Sequence, residues 1–336
     1  VADAEPGPPV PAEFGPHAAI WIGYPSHGEL WAEDLAPAQA ETADLVRALA
    51  GPGGEQVRLL VCGEEAMADA KARLAGLAGV ELRPGRFGDI WLRDTGPIFR
   101  DRSSAAAFTF NGWGGRYILD GDETVAEQIG AAEGARLTRW SAVLEGGALD
   151  HDGAGTVLTT RQCLINPNRN RFWDEAAAEA LLRNALGARK VIWLDEGLLN
   201  DHTDGHVDNL ARFVAPGVVA CPVASGPDDP NAQAYEAAAA ALARSTDAEG
   251  RRLSVRRIPS PGPVRDEAGE IIPASHMNFI IAPGAVVTPI YSDATARAAL
   301  AALGEAFPDR EVIGLPAKAL LTGGGAFHCI SQQVPA

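Results

Sequence analysis

Residues 155–195 read GTVLTTRQCLINPNRNRFWDEAAAEALLRNALGARKVIWLD, and the order of their apolar and alanine-rich parts sets the fold class. GTVLTT (155–160) is a short β-branched run, WDEAAAEALLRNALG (173–187) is helical, and KVIWLD (190–195) returns to a strand pattern. Working outward, the same alternation recurs. VRLLVC (57–62), EEAMADAKARLAGL (64–77) and VELR (80–83) form one unit, and AAAFTF (105–110) precedes the helical DETVAEQIGAAEG. GVVACPV (217–223), DPNAQAYEAAAAALARS (229–245) and LSVRRIP form another, followed by GAVVTPIY (284–291), DATARAALAALGEAF and REVIGLP. Five strand–helix units thus recur about every sixty to seventy residues, with no glycine–serine or charged linker between them. The pattern predicts one α/β domain over residues 1–336, built from repeated units. A doubly wound parallel sheet has the same alternation. Residues 1–17, VADAEPGPPVPAEFGPH, are acidic and proline-rich and read as an extended N-terminal arm.

Composition narrows the classes. The 336 residues are 46% hydrophobic, enough for a large core, and no apolar run reaches the length of a membrane span. A formal net charge of −16 argues against nucleic acid, whose phosphates require a basic face, and weakly favours cationic ligands. The four cysteines, Cys62, Cys163, Cys221 and Cys329, lie far apart with no Cys-x-x-Cys pair, which suggests neither a zinc ribbon nor a disulfide framework. Reduced thiols in the cytoplasm are the expected state.

Polar clusters fall between the units, in loops. DIWLRDTGP (89–97) places Trp91, Arg93 and Asp94 ahead of a Gly–Pro turn. LEGGALDHDGAGT (144–156) sets Glu145 before two glycines; its aspartates resemble part of a calcium loop, but the later oxygen ligands are missing. LNDHTDGHVDNLARF (199–213) spaces His202 and His206 four apart, yet Thr203 stands where a zinc-protease helix needs glutamate. His206 with Asp208 two residues on reads better as a titrating group beside a carboxylate. Finally, LTGGGAFHCIS puts Gly323, Gly324 and Gly325 just before His328 and Cys329. A glycine run so near the last residue connects to little, so it reads as backbone shaped to present Cys329.

One thiol, one histidine and several acids, without a metal set, suit a planar cation. Carboxylates pair bidentately with a guanidinium, polarising its carbon for attack by sulfur. Histidine would protonate departing ammonia and then activate water, leaving a ureido product.

WLRDTGP, EGG, DGHVDN and GGGAFHCISQQVP together resemble the agmatine deiminase branch of the bacterial-type peptidylarginine deiminases. PAEFGPHAAIWIGYP, TTRQCLINPNRN and PASHMNFIIAPGAVVTP extend the resemblance, in order, over nearly the whole chain. It implies the pentein fold, a five-bladed α/β propeller around a central site. It also implies Cys329 as nucleophile, His206 as general acid/base, Asp94 and Asp208 as guanidinium-binding carboxylates, and Glu145 as the acid orienting the histidine. Trp91 would line the substrate channel, Asn278 would contact substrate, and Gly323 to Gly325 would bring the backbone, at Gly324 above all, close to substrate. No metal and no organic cofactor are implied. The expected partner is a small cationic guanidine, with no nucleic acid and no membrane; a homodimer is allowed.

The chain departs from the family pattern at three places. His202 stands where an acid usually precedes the histidine by four, His276 replaces tyrosine in the Ser275–Asn278 segment, and Arg171 replaces proline. His202 and His276 bear on the substrate tail. Asp201 and Asp204 are candidates to replace the missing acid. Agmatine is the expected substrate, converted to N-carbamoylputrescine and ammonia; the alternatives are free or peptidyl arginine, or a guanidine-binding protein without turnover.

Overall fold

A computed structural model describes residues 7–336. In the segment at 155–195, strands Thr156–Thr160 and Lys190–Leu194 run parallel, with Thr156 opposite Lys190, and helix Glu175–Leu186 crosses between them. The Asp174 side chain accepts from the Ala177 N–H to start the helix, and Gly187, at φ 66°, ends it. Ala178, Leu182, Ala185 and Leu186 form its buried stripe. Each of the two leucines contributes roughly 1.5–3 kcal/mol by leaving water. Thr156–Thr160 is buried at every residue, which is why its sequence does not alternate.

Each of the other units adopts the same parallel pair. In front of each lies a further strand that periodicity did not reveal, running antiparallel to the next. These first strands are Ile98–Asp101, Asp150–His151, Arg212–Ala215, Ile280–Ile281 and Ser331–Pro335. Two of them are two residues long, too short to carry any period. The result, among the described residues, is five separate sheets, four of three strands and one of four, which excludes the doubly wound alternative.

The four-stranded sheet corrects the count of its unit. It begins with Ser331–Pro335 paired to His17–Gly23, continues through Val57–Val61 and ends at Val80–Pro84, so it holds two crossover helices, Leu35–Ala50 and Glu64–Arg73. Neighbouring first strands pack side by side, Ser331–Pro335 against Ile98–Asp101 and Asp150–His151 against Arg212–Ala215.

Of the expected arm, residues 1–6 lie outside the described residues, and His17 already belongs to a strand. Residues 7–16 have no helix or strand, but they are tied down. The Val10 N–H donates to Leu186 O at 3.1 Å and the Ala336 N–H to Pro16 O at 3.1 Å. Val10, Ala12 and Glu13 are buried.

Candidate active site

The five first strands share one feature: the segment entering each, a loop or a single helical turn, carries a residue that the sequence had singled out. Asp94 precedes Ile98–Asp101, Glu145 precedes Asp150–His151, and His206 and Asp208 precede Arg212–Ala215. Asn278 precedes Ile280–Ile281, and Cys329 precedes Ser331–Pro335. Repetition of one blade plan therefore delivers side chains far apart in sequence to one end of the molecule's axis.

Cys329 Sγ receives the Asn278 Nδ2–H at 3.1 Å and lies 3.7 Å from Asp208 Oδ2. Asn278 Oδ1 in turn accepts from the His328 N–H at 2.9 Å, so this buried amide fixes the turn that presents the thiol. Burial, and then Asp208 and Asp94, push the thiol well above its ordinary range. The resting group is therefore S–H. Asp94 is buried; its Oδ2 accepts from Trp113 Nε1 at 2.9 Å and its Oδ1 from the Gly147 N–H at 3.0 Å. Asp208 Oδ2 accepts from His328 Nδ1 at 2.8 Å, while its Oδ1 is buried with no partner among the described residues. Burial raises Asp94, only partly offset by His206. Burial also works against Asp208, but His328, His206 and Arg212 bring it below its ordinary value.

His206 is fully buried, with Nδ1 3.7 Å from Asp94 Oδ1. Burial opposes its charged form, yet Asp94, Cys163 and Asp208 lift it well above its ordinary value. An imidazolium at this point can donate a proton. Gly147 is required beside it: a Cβ there would sit 2.5 Å from His206 Nδ1 and 2.8 Å from Asp94 Oδ1. Glu145 turns its Oε1 to Arg169 Nε, at 2.7 Å. Donor atoms of Glu145, Cys163 and His206 lie within 4.8 Å of one another, the one group of metal-ligating type among the described residues. The Arg169 guanidinium already balances the Glu145 charge there, which disfavours a cation.

A cavity of about 230 Å³ opens on Cys329. Trp31, Trp91, Trp113 and Tyr117 wall it, and Asp34, Asp89, Asp94 and His202 add polar groups. Asp89 holds two of the indoles, accepting from Trp91 Nε1 at 2.7 Å and Trp31 Nε1 at 3.0 Å. The glycine run is explained position by position. A Cβ at Gly323 would meet the Trp31 ring at 2.5 Å, and one at Gly325 would meet Trp91 at 2.6 Å and Cys329 Sγ at 3.2 Å. Gly324 has φ 109°, which L side chains rarely adopt. The close approach is thus to the aromatic walls and the thiol itself.

Residues 9–335 match the Porphyromonas-type peptidyl-arginine deiminase family. This chain belongs to that family. It is 37% identical to the agmatine deiminase of Stutzerimonas stutzeri, with 97% of this chain and 95% of that one aligned. The agmatine deiminase of Ectopseudomonas mendocina is also 37% identical, over the same shares of the two chains. The structure of the agmatine deiminase of Enterococcus faecalis superposes with a TM-score of 0.91 at 31% identity, covering 99% of this chain and 98% of that one. The five-bladed α/β propeller is the pentein fold, and the chain is a deiminase-family hydrolase of guanidine C–N bonds.

Of the site residues expected in this Porphyromonas-type deiminase, Trp91, Asp94, Gly324 and Cys329 line the cavity, with Gly324 toward its His202 end, where a Cβ would lie 3.8 Å from His202 Nδ1. Asn278 and Asp208 touch the Cys329 thiol, His206 lies 3.7 Å from Asp94, and Glu145 sits beside His206 and Cys163. His202 stands apart, exposed at the mouth, with Nδ1 3.3 Å from the Tyr117 hydroxyl. Asp204 is not free to replace an acid there, since it pairs with Arg116 at 2.6 Å and Arg169 at 2.5 Å. Asp201 caps Thr203 and lines an adjoining groove rather than the cavity. His276 Nδ1 donates to Pro259 O, 2.8 Å away, and the ring lines none of the cavity. Sequence reading missed Trp113, Trp31, Asp89, Cys163 and Arg169. Of these, only Asp89, in DIWLRDTGP, and Arg169, in TTRQCLINPNRN, lay in a quoted motif with a charge that asked for a partner.

Proposed function

We propose that the protein hydrolyses agmatine to N-carbamoylputrescine and ammonia through a covalent intermediate on Cys329. The observation that carries this reading is the pair of buried carboxylates, Asp94 and Asp208, set around an uncharged thiol at the end of a cavity walled by tryptophan. No arginine or lysine touches either acid at hydrogen-bonding distance among the described residues; the basic groups near them are His206, 3.7 Å from Asp94, and His328, 2.8 Å from Asp208, and Asp208 Oδ1 is left without a partner for the ligand. The named activity of the relatives, agmatine deimination, supports the same substrate.

The guanidinium enters between the carboxylates, and its charge favours ionisation of Cys329, whose proton leaves toward Asp208 Oδ2. Sulfur attacks the guanidinium carbon; the departing nitrogen takes a proton from His206 and leaves as ammonia. His206, now neutral, accepts a proton from water as the oxygen attacks the thiouronium carbon. The C–S bond then breaks, Asp208 returns its proton to sulfur, the remaining hydroxyl proton leaves with ammonia as ammonium, and the neutral ureido product departs. Asp94, Asp208, His206 and Cys329 are the proposed catalytic set, with Glu145 fixing the loop beside the histidine through Arg169.

We read residues 1–336 as one domain, supported by the pairing of Ser331–Pro335 with His17–Gly23. We also place the protein in the cytoplasm as a monomer or homodimer. Support for the location comes from four free cysteines, and no helix is long and apolar enough to cross a membrane among the described residues. The deciding experiment measures ureido product and ammonia from agmatine, arginine and peptidyl-arginine side by side. Agmatine should be turned over with the highest kcat/KM; preference for arginine by a wide margin would overturn the substrate assignment.

A further inference from the structure

Behind the nucleophile runs a line of charged side chains that this chemistry does not use. The ring of His328 stands between two acids, Nδ1 at 2.8 Å from Asp208 Oδ2 and Nε2 at 3.0 Å from Glu13 Oε2. An ionised carboxylate can only accept. An imidazole facing one with each nitrogen satisfies both contacts only when both nitrogens carry protons.

Glu13 is held just as firmly. Its Oε1 accepts from the Ile281 N–H at 2.8 Å, and its Oε2 also takes Arg212 Nη2. Arg212 is anchored in turn, Nε to Asp150 Oδ2 at 2.6 Å and Nη1 to Phe279 O at 2.9 Å. Glu13, His328, Asp208, Arg212 and Asp150 are all buried. Burial opposes the charge on Glu13, but Arg212 and His328 hold it far below the usual carboxylate range.

We propose that Glu13 and His328 are positioning residues. Glu13, supplied by the N-terminal arm, keeps His328 as an imidazolium, and His328 keeps Asp208 ionised and turned so that Oδ1 is left for the guanidinium. The inference rests on the guanidine reading of the site. The other groups facing Asp208 are His206, the Cys329 thiol, Asp94, Arg212 and Arg93. Among the described residues, His328 is the one cation that touches it.

The test compares wild type with Glu13→Gln, His328→Asn and His328→Gln, reading kcat and KM for agmatine across a pH series, with circular dichroism melting as the check on folding. Asparagine places an amide N–H near the position of ring Nδ1 and can keep the Asp208 bond. Glutamine reaches toward the position of Nε2 and cannot. His328→Gln should lower kcat/KM roughly 10- to 100-fold, the loss expected for one hydrogen bond to a charged group. Its acid limb should move up by about one pH unit, because Asp208 without its cation holds a proton to higher pH. His328→Asn should recover much of the loss, and Glu13→Gln should move the limb in the same direction by less.

Folded His328→Gln and Glu13→Gln with the wild-type limb overturn the proposal, as do equal losses in all three variants with no movement of the limb. If the His328 variants do not fold, the limb of Glu13→Gln decides alone. Failure of wild type to form ureido product from any guanidine overturns the guanidine reading, and this inference with it.

Discussion

The two sides of Cys329 are built on opposite electrostatic plans. On the cavity side, Asp94 is held by an indole N–H and a backbone N–H, Asp89 by two indoles, and no guanidinium or ammonium touches either acid among the described residues. On the far side, Glu13 and Asp150 share Arg212, and Glu13 and Asp208 share His328. Neutral donors fix the direction of a carboxylate without cancelling its charge. Ion pairs cancel the charge and fix the fold. The difference teaches where a cation can bind: Asp94, with His206 Nδ1 3.7 Å away, and Asp208, whose Oδ1 has no partner among the described residues, keep an attraction for a ligand that Glu13 and Asp150 have satisfied within the fold.

The largest expected effect breaks the cavity side. Cys329→Ser should lower kcat/KM at least about 10⁴-fold with an unchanged melting temperature, because a buried serine hydroxyl lacks a base to activate it. Product assay and calorimetry together check this; a folded serine variant with near-normal turnover would remove the nucleophile assignment. The far side should fail in the other way. Arg212→Met removes the counter-ion that Glu13 and Asp150 share, leaving Asp150 without an ion-pair partner in the core, and should cost about 3–5 kcal/mol of stability, read by urea unfolding. A methionine variant as stable as wild type would show that the far-side ion pairs do not hold the fold.

The third expectation sharpens the contrast through pH. Burial raises Asp89 to about 6, so it is neutral below that value and charged above it. As pH falls through about 6 the cavity wall loses a negative charge, and kcat/KM for a dicationic guanidine should decline. Asp89→Asn should remove that step and lower the plateau by about tenfold. A profile in which the step survives in Asp89→Asn assigns it to another group. The smallest effect lies at the rim. His202→Glu adds an exposed acid beside Tyr117 and should lower the agmatine KM by no more than about tenfold, with little change for guanidines of neutral tail. An unchanged KM would place the tail away from His202.

The sequence disclosed the two plans unequally. The long parallel strands and their helices were legible because alanine-rich segments and β-branched runs repeat over enough residues to show a period. Asp150–His151 and Ile280–Ile281 were not, being two residues each and defined only by their partners. Cys329, His206, Asp94 and Asp208 stood out as reactive types next to glycine. Trp113 did not: it is linked to Asp94 only through a backbone with φ 51°, unusual for a bulky residue, which no spacing rule anticipates. Glu13 was hidden for the opposite reason. In an acidic, proline-rich stretch its charge looked like solubility, and its partners lie hundreds of residues away.

That separation has a kinetic consequence. Glu13 and His328 are 315 positions apart, and the contact they make closes a loop nearly as long as the chain. Contacts of such range form late, because the entropy of bringing the ends together must be overcome before they stabilise anything. Single blades, with strands and helix adjacent in sequence, can assemble first. Refolding from urea should therefore restore far-ultraviolet ellipticity before it restores ammonia release, the lag marking the last circuit of the chain around its own axis.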